Sequence, residues 1–111
     1  MHRGDIYIAN LNPVVGAETA KTRPVLIISN ELNNTYSQTV TVLPISSSVG
    51  KIYPFEVLLV KSISGLNLDS KVKANQIRTI DKQRLIKRIS ILPMDVLLDV
   101  EKALLIHLGV I

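Results

Sequence analysis

The chain has no cysteine and no tryptophan, and aromatic residues make up only 4% of its 111 positions. Without thiols there is no disulfide framework, thiolate metal site or cysteine nucleophile, and a reducing cytoplasm is the expected setting. With so few aromatics, the 47% of hydrophobic residues must build a core from Ile, Leu and Val. No apolar run approaches the roughly 18 residues that read as a membrane-spanning helix. The opening Met1-His2-Arg3-Gly4-Asp5 lacks the apolar stretch of a secretory leader, so a soluble, unexported protein is expected. The only histidines, His2 and His107, stand at opposite ends of the chain, which argues against paired imidazoles at one phosphate. No Asp, Glu or His cluster has metal-ligand spacing, and Gly-rich phosphate loops are missing. Ser46–Ser48 has no G-x-S-x-G context. No metal or organic cofactor is expected.

What is present points to one domain over residues 1–111. A domain of this size buries only about 60–70% of the surface its unfolded chain exposes, so a second copy is a reasonable partner for the remaining aliphatic surface. The net charge is +4, unevenly spread. Lys71, Lys73, Arg78, Lys82, Arg84, Lys87 and Arg88 lie within one stretch whose only acid is Asp81. That run reads either as a solvated face or as a track for a polyanion.

Asp5–Leu11 is expected to form a first strand, stopped by Asn12-Pro13, and Asn12–Lys21 a long loop of the kind that often carries function. Val25-Leu26-Ile27-Ile28 is short, continuous and β-branched, as a strand buried on both faces would be. Asn30–Asn34 has turn chemistry. Thr39–Leu43 alternates Thr and Val as a third strand. Phe55–Val60 follows as a fourth, Ser62–Asp69 as a turn around Gly65, and Ser70–Ile77 as a fifth strand with Lys71 and Lys73 on one face. Asp81 is expected to cap a helical segment over Lys82–Lys87. A last helix is expected from about Pro93 to Leu108, striped by Leu97, Val100, Leu104 and Leu108 and stopped at Gly109. Connections too short for helical crossovers imply antiparallel pairing. The fold class is α+β or mainly β, a small barrel with a C-terminal helix.

Three residues stand out chemically: Arg23 at the mouth of the buried strand, Glu18 in the loop before it, and Ser46 after the third strand. An arginine beside a core strand is costly unless paired, so Arg23 is either salt-bridged for structure or held out for a ligand. Composition leaves both open.

Arg3-Gly4-Asp5-Ile6-Tyr7, Asn12-Pro13-Val14-Val15-Gly16 and Thr22-Arg23-Pro24-Val25-Leu26-Ile27-Ile28 resemble, in order and spacing, the opening of the MazF/PemK toxins. Asn75-Gln76-Ile77-Arg78-Thr79-Ile80-Asp81-Lys82-Gln83-Arg84-Leu85 is similar to that family's second signature, and the closing helix matches too. The resemblance implies an SH3-like antiparallel barrel with a C-terminal helix, assembled as a homodimer. It implies the toxin of a type II toxin-antitoxin system, an endoribonuclease that cuts single-stranded mRNA at short sequences without ribosome or metal. A cognate antitoxin with an acidic, disordered tail would occupy the RNA groove. Carried over by motif, Arg23, Ser46 and Glu18 are the expected catalytic residues, with Ser47 the neighbouring candidate for the hydroxyl. Lys21, Thr22, Ser47, Lys73, Gln76 and Arg78 are expected to bind RNA. Where the family often has Gly-Gly before T-R-P, this chain has Ala20-Lys21.

Metal-free cleavage uses the 2′-OH of the RNA as nucleophile and needs charge stabilisation at phosphorus and a proton for the 5′-oxygen. Guanidinium groups stay protonated, which suits Arg23 to stabilisation rather than base catalysis. Two other classes remain open at this point. One is a gyrase poison of similar fold that cleaves nothing. The other is a noncatalytic barrel that binds nucleic acid or antitoxin.

Overall fold

The computed structural model describes residues 1–111. Its strands are β1 (Asp5–Asn10), β2 (Thr22–Ile27), β3 (Thr39–Ser46), β4 (Glu56–Leu59), β5 (Ser70–Lys73), β6 (Arg78–Asp81) and β7 (Leu85–Ile91). Helices α1 (Glu31–Tyr36), α2 (Lys61–Ser64) and α3 (Met94–His107) complete it, with 3-10 turns at Ala74–Gln76 and Lys82–Arg84. No helix is long and apolar enough to cross a membrane.

The sheet runs β4-β5-β3-β2-β1-β7, with β6 also on β3, and each paired neighbour is antiparallel. The long strand β3 makes this possible. One edge follows β2, with Leu26 opposite Leu43. The other edge is shared: Thr39–Val42 pair with β6, and Ile45–Ser46 pair with β5. Pro44, which has no N–H to donate, falls at the changeover. The sheet curls there into a barrel-like form that is not closed, since β4 and β7 do not pair.

The curl creates two cores. Leu26 and Ile28 of the second strand region point toward α3, joining Leu43, Leu97 and Val100. Val25 and Ile27 point the other way, joining Val40, Val42 and Ile80. A side-chain period of two therefore buries both faces of one strand, as its unbroken apolar run predicts. Arg3 locks the N-terminus down: its Nε donates to the Ile28 carbonyl at 3.0 Å, and Nη2 lies 2.6 Å from Glu101 on α3.

The second half of the chain departs from the sequence reading. The expected strand Ser70–Ile77 stops at Lys73 and turns, and Arg78–Asp81 is a separate strand. Asp81 does cap, accepting from Gln83 N–H at 2.7 Å, but the helix it starts is one 3-10 turn. Leu85–Ile91 is then a strand, not helix. Pairing with β1 and β6's pairing with β3 outweigh the local helical signal, because they cover the second core.

Gly65 closes α2 at φ +75°, and a Cβ there would stand 3.1 Å from Ser90 Cβ. Ser90 itself donates through Oγ to the Ser64 carbonyl. Gly65→Ala is therefore expected to lose about 1–2 kcal/mol from handedness alone, with added strain from displacing Ser90. Urea unfolding measures it; a variant as stable as the parent would show that the α2 turn is not fixed this way.

Candidate active-site cleft

A cleft of about 410 Å³ opens beside the start of β2. Lys21, Thr22, Arg23 and Pro24 form one wall, Ile45 and Ser47 continue it, and Gly65–Leu68 with Ser70 face it. Ile8 and Ile89 supply apolar floor. The facing segment was not singled out by sequence. Its only signal was Gly65 between two strand patterns, which marks a turn and not a site.

Arg23 is half-buried, and its Nε donates to the Ala20 carbonyl at 2.7 Å. No carboxylate pairs with it. Of the two readings that composition left open, the salt-bridged one is therefore not realised. The bond to Ala20 fixes the side chain from behind and leaves both terminal nitrogens free for an oxyanion. Lys21, just before it, has φ +71°, a left-handed conformation that costs a non-glycine residue about 1–2 kcal/mol. The backbone here thus has the shape a glycine would take without strain. Two bonds hold it: Lys21 N–H to Asn12 Oδ1 and Leu11 N–H to the Lys21 carbonyl, each 3.0 Å.

The two serines diverge. Ser47 is exposed and lines the cleft, whereas Ser46 is buried at the end of β3 and its Oγ accepts Ser48 N–H at 3.1 Å. Continuing the β2–β3 register beyond Val25 and Pro44 sets Ser46 opposite Arg23. Its hydroxyl proton is not used by the Ser48 bond.

Glu18 lies outside the cleft lining. Its Oε1 accepts Val15 N–H at 2.6 Å, which staples the tip of the β1–β2 loop. Gln76 and Arg78 also work on that loop. Gln76 Oε1 accepts Thr19 N–H at 3.3 Å, and Arg78 Nη1 donates to the Leu11 carbonyl at 3.0 Å. Lys73 ends β5, opposite Glu56 in the β4–β5 register.

Five of the seven cations in the basic stretch also make contacts within the fold, while Lys87 and Arg88 stay exposed. Arg84 donates to the Asn10 and Asn12 carbonyls, Lys82 to the Asn34 carbonyl at 2.6 Å, and Arg88 pairs with Asp5 at 3.2 Å. Lys71 is buried: its Nζ lies 3.0 Å from Glu56 Oε1 and 3.1 Å from the Lys51 carbonyl. Loop carbonyls need donors, and long cationic side chains reach them. The histidines do not converge. His2 lies beside Glu31, while His107 lies against Phe55.

An open cleft built on an unpaired arginine, with the T-R-P segment and a hydroxyl turn on its wall, belongs with the motifs read from sequence. Residues 2–108 match the family described as PemK-like, MazF-like toxin of type II toxin-antitoxin system. The chain belongs to that family. It is similar to a Staphylococcus epidermidis protein named endoribonuclease MazF, with 41% identity over 98% of this chain and 92% of that one. It is also similar to endoribonuclease MazF9 of Mycobacterium tuberculosis, with 36% identity over 97% and 96% of the two chains. Among solved structures it resembles a chain of the Deinococcus radiodurans MazE–MazF crystal structure (Form-II). That match has a TM-score of 0.78 and 30% identity, covering 98% and 96% of the two chains.

The buried Lys71–Glu56 pair yields a clear expectation. Lys71→Ala strands a carboxylate that is 4% exposed, so it should cost about 3–5 kcal/mol. A surface cation would cost within about 0.5 kcal/mol. Denaturant midpoints separate the two.

Proposed function

We propose that the chain is a toxin endoribonuclease that cuts single-stranded mRNA at the Arg23 cleft in the cytoplasm. It acts as one domain, paired with a second copy of itself, until a cognate antitoxin with an acidic tail fills the groove. The observation that carries this reading is Arg23: braced by Ala20, free of any carboxylate, and set in the cleft wall. The similar proteins named endoribonucleases and the similar MazE–MazF structure support it. Exposed Met94, Leu98, Leu105 and Leu108 along α3 provide apolar surface that a second copy would cover.

In this reading the 2′-oxygen of the RNA loses its proton and attacks the adjacent phosphorus. The P–O5′ bond breaks as the 2′-O–P bond forms, and the 5′-oxygen takes up a proton. The products are a 2′,3′-cyclic phosphate and a 5′-hydroxyl. Arg23 places its free N–H groups on the phosphoryl oxygens, where negative charge accumulates. Ser46 donates its unused hydroxyl proton to the same group, and Ser47, Thr22 and Lys21 line the path of the strand. Glu18 is assigned the loop rather than the proton, since its carboxylate already holds Val15 N–H. The 2′-OH proton passes to solvent water, which returns one to the 5′-oxygen.

Incubation of the purified protein with a long RNA in EDTA should give discrete cuts with 5′-hydroxyl ends. Arg23→Ala should lower the rate at least about 10²-fold, the scale of one oxyanion-type contribution. Equal cutting by both proteins, or no cutting of several varied RNAs, would defeat the reading. Comparing Ser46→Ala with Ser47→Ala tests the hydroxyl: Ser46→Ala should lose more in kcat, and Ser47→Ala should act mainly on KM. The reverse pattern would transfer the role to Ser47.

A further inference from the structure

The chain has one phenylalanine, and it takes no part in either buried core. Phe55 instead stacks on Tyr53, with ring centroids 5.5 Å apart and planes 4° from parallel. Tyr53 is 44% exposed, and the Lys51 ammonium lies 5.0 Å from its ring centroid. An offset pair of this kind is a favourable arrangement of two rings, and here half-buried Phe55 backs a Tyr53 ring that is displayed to solvent in a protein that otherwise builds with aliphatics.

The display is rigid. Tyr53 N–H donates to Glu56 Oε1 at 3.0 Å, and Glu56 N–H returns to the Tyr53 carbonyl at 2.9 Å. The same Glu56 oxygen receives Lys71 Nζ, which also holds the Lys51 carbonyl. Phe55 is pinned by its carbonyl, which accepts Ala74 N–H at 3.1 Å. Lys71 is also the cross-strand partner of Ser46. One buried ion pair therefore fixes the aromatic pair relative to the end of β3, where the proposed chemistry sits.

We propose that Tyr53, backed by Phe55, is a stacking platform for one nucleobase of the single-stranded RNA, with Lys51 meeting the adjoining phosphate. Lys71 and Glu56 are its positioning residues. The inference rests on the RNA-cleaving reading for its ligand and adds a subsite to it. Single-strand binders combine these parts, an aromatic face for the base and a cation for the backbone. A lysine already over the ring marks a face that accepts a partner, and it can exchange the ring for a phosphate as the base arrives. Stacking tolerates every base, so the platform sets register along the strand while other contacts choose the sequence.

The test uses a fluorescein-labelled 2′-O-methyl RNA of mixed sequence, which has no free 2′-OH and cannot be cut by the proposed route. Anisotropy titration with Tyr53→Ala should give a Kd raised about 5- to 150-fold, the range of one base–aromatic stack. Tyr53→Phe should bind like the wild type, because the ring and not the hydroxyl is used. Replacing each nucleotide in turn by an abasic residue should reveal one position where the wild type weakens and Tyr53→Ala does not. Equal binding by Tyr53→Ala, or no binding of the probe by the wild type, overturns the proposal. So does a shift of Tyr53→Ala in sedimentation, which would make Tyr53 an assembly contact. A wild type that binds this probe but cuts no RNA would defeat the nuclease reading and leave the platform standing.

Discussion

β3 is the one strand with more demands on it than a strand has edges. It must hydrogen-bond β2 along one side and divide the other between β6 and β5. The partner on that edge changes between Val42 and Ile45, from β6 to β5, and the sheet turns there, near Pro44. That turn separates the two apolar clusters and bends the sheet toward a barrel, while the antiparallel β2–β3 pairing sets the end of β3 beside the start of β2. The cleft forms where those two strand ends meet. That register, continued past Val25 and Pro44, sets Arg23 opposite Ser46.

The same constraint explains why so many cations serve the fold. A curled sheet leaves the β1–β2 loop arching over open backbone, with carbonyls at Asn10, Leu11 and Asn12 that no strand reaches. Arg78 and Arg84 supply the missing donors. Guanidinium groups do this well because they carry several donors on a long apolar stem. The positive potential of the region survives, since hydrogen bonds to neutral carbonyls do not cancel charge. Positive charge and loop support are thus compatible uses of one residue, while Lys71 and Arg88 are paired with the carboxylates of Glu56 and Asp5.

Legibility in the sequence follows how much each residue's environment is local. β1, β2, β3 and α3 were readable because their apolar spacing matches one buried face or two. β7 was not. Ile86, Lys87 and Arg88 are all exposed on it, and its pairing with β1 is twice interrupted by register shifts, so no period of two survives. Lys82–Lys87 was expected to be helical behind Asp81, and Asp81 gave a true cap to a turn that then stopped. At the site, Arg23 was identifiable through its motif, but its brace at Ala20 was not. Glu18 entered as an expected catalytic residue through its motif, and residue types alone do not show that its carboxylate turns back on Val15 N–H.

Lys71 shows the limit most clearly. Alternation over the expected strand Ser70–Ile77 put it on one face with Lys73, and within Ser70–Lys73 the two do share a face beside Glu56. What it could not supply was Glu56, fifteen positions away by number but adjacent through the β4–β5 pairing. Once a carboxylate is buried there, a cation must join it, because an unpaired charge in that setting costs several kcal/mol. A buried pair of this kind adds little net stability over an apolar substitute, yet its geometry is unforgiving. Here that geometry is spent on the Lys51–Phe55 segment, which has no strand or helix of its own to hold it and carries the only phenylalanine in the chain. An ion pair placed under a loop instead of within a core fixes position more than it adds stability. That argues for a loop whose position relative to the end of β3 matters.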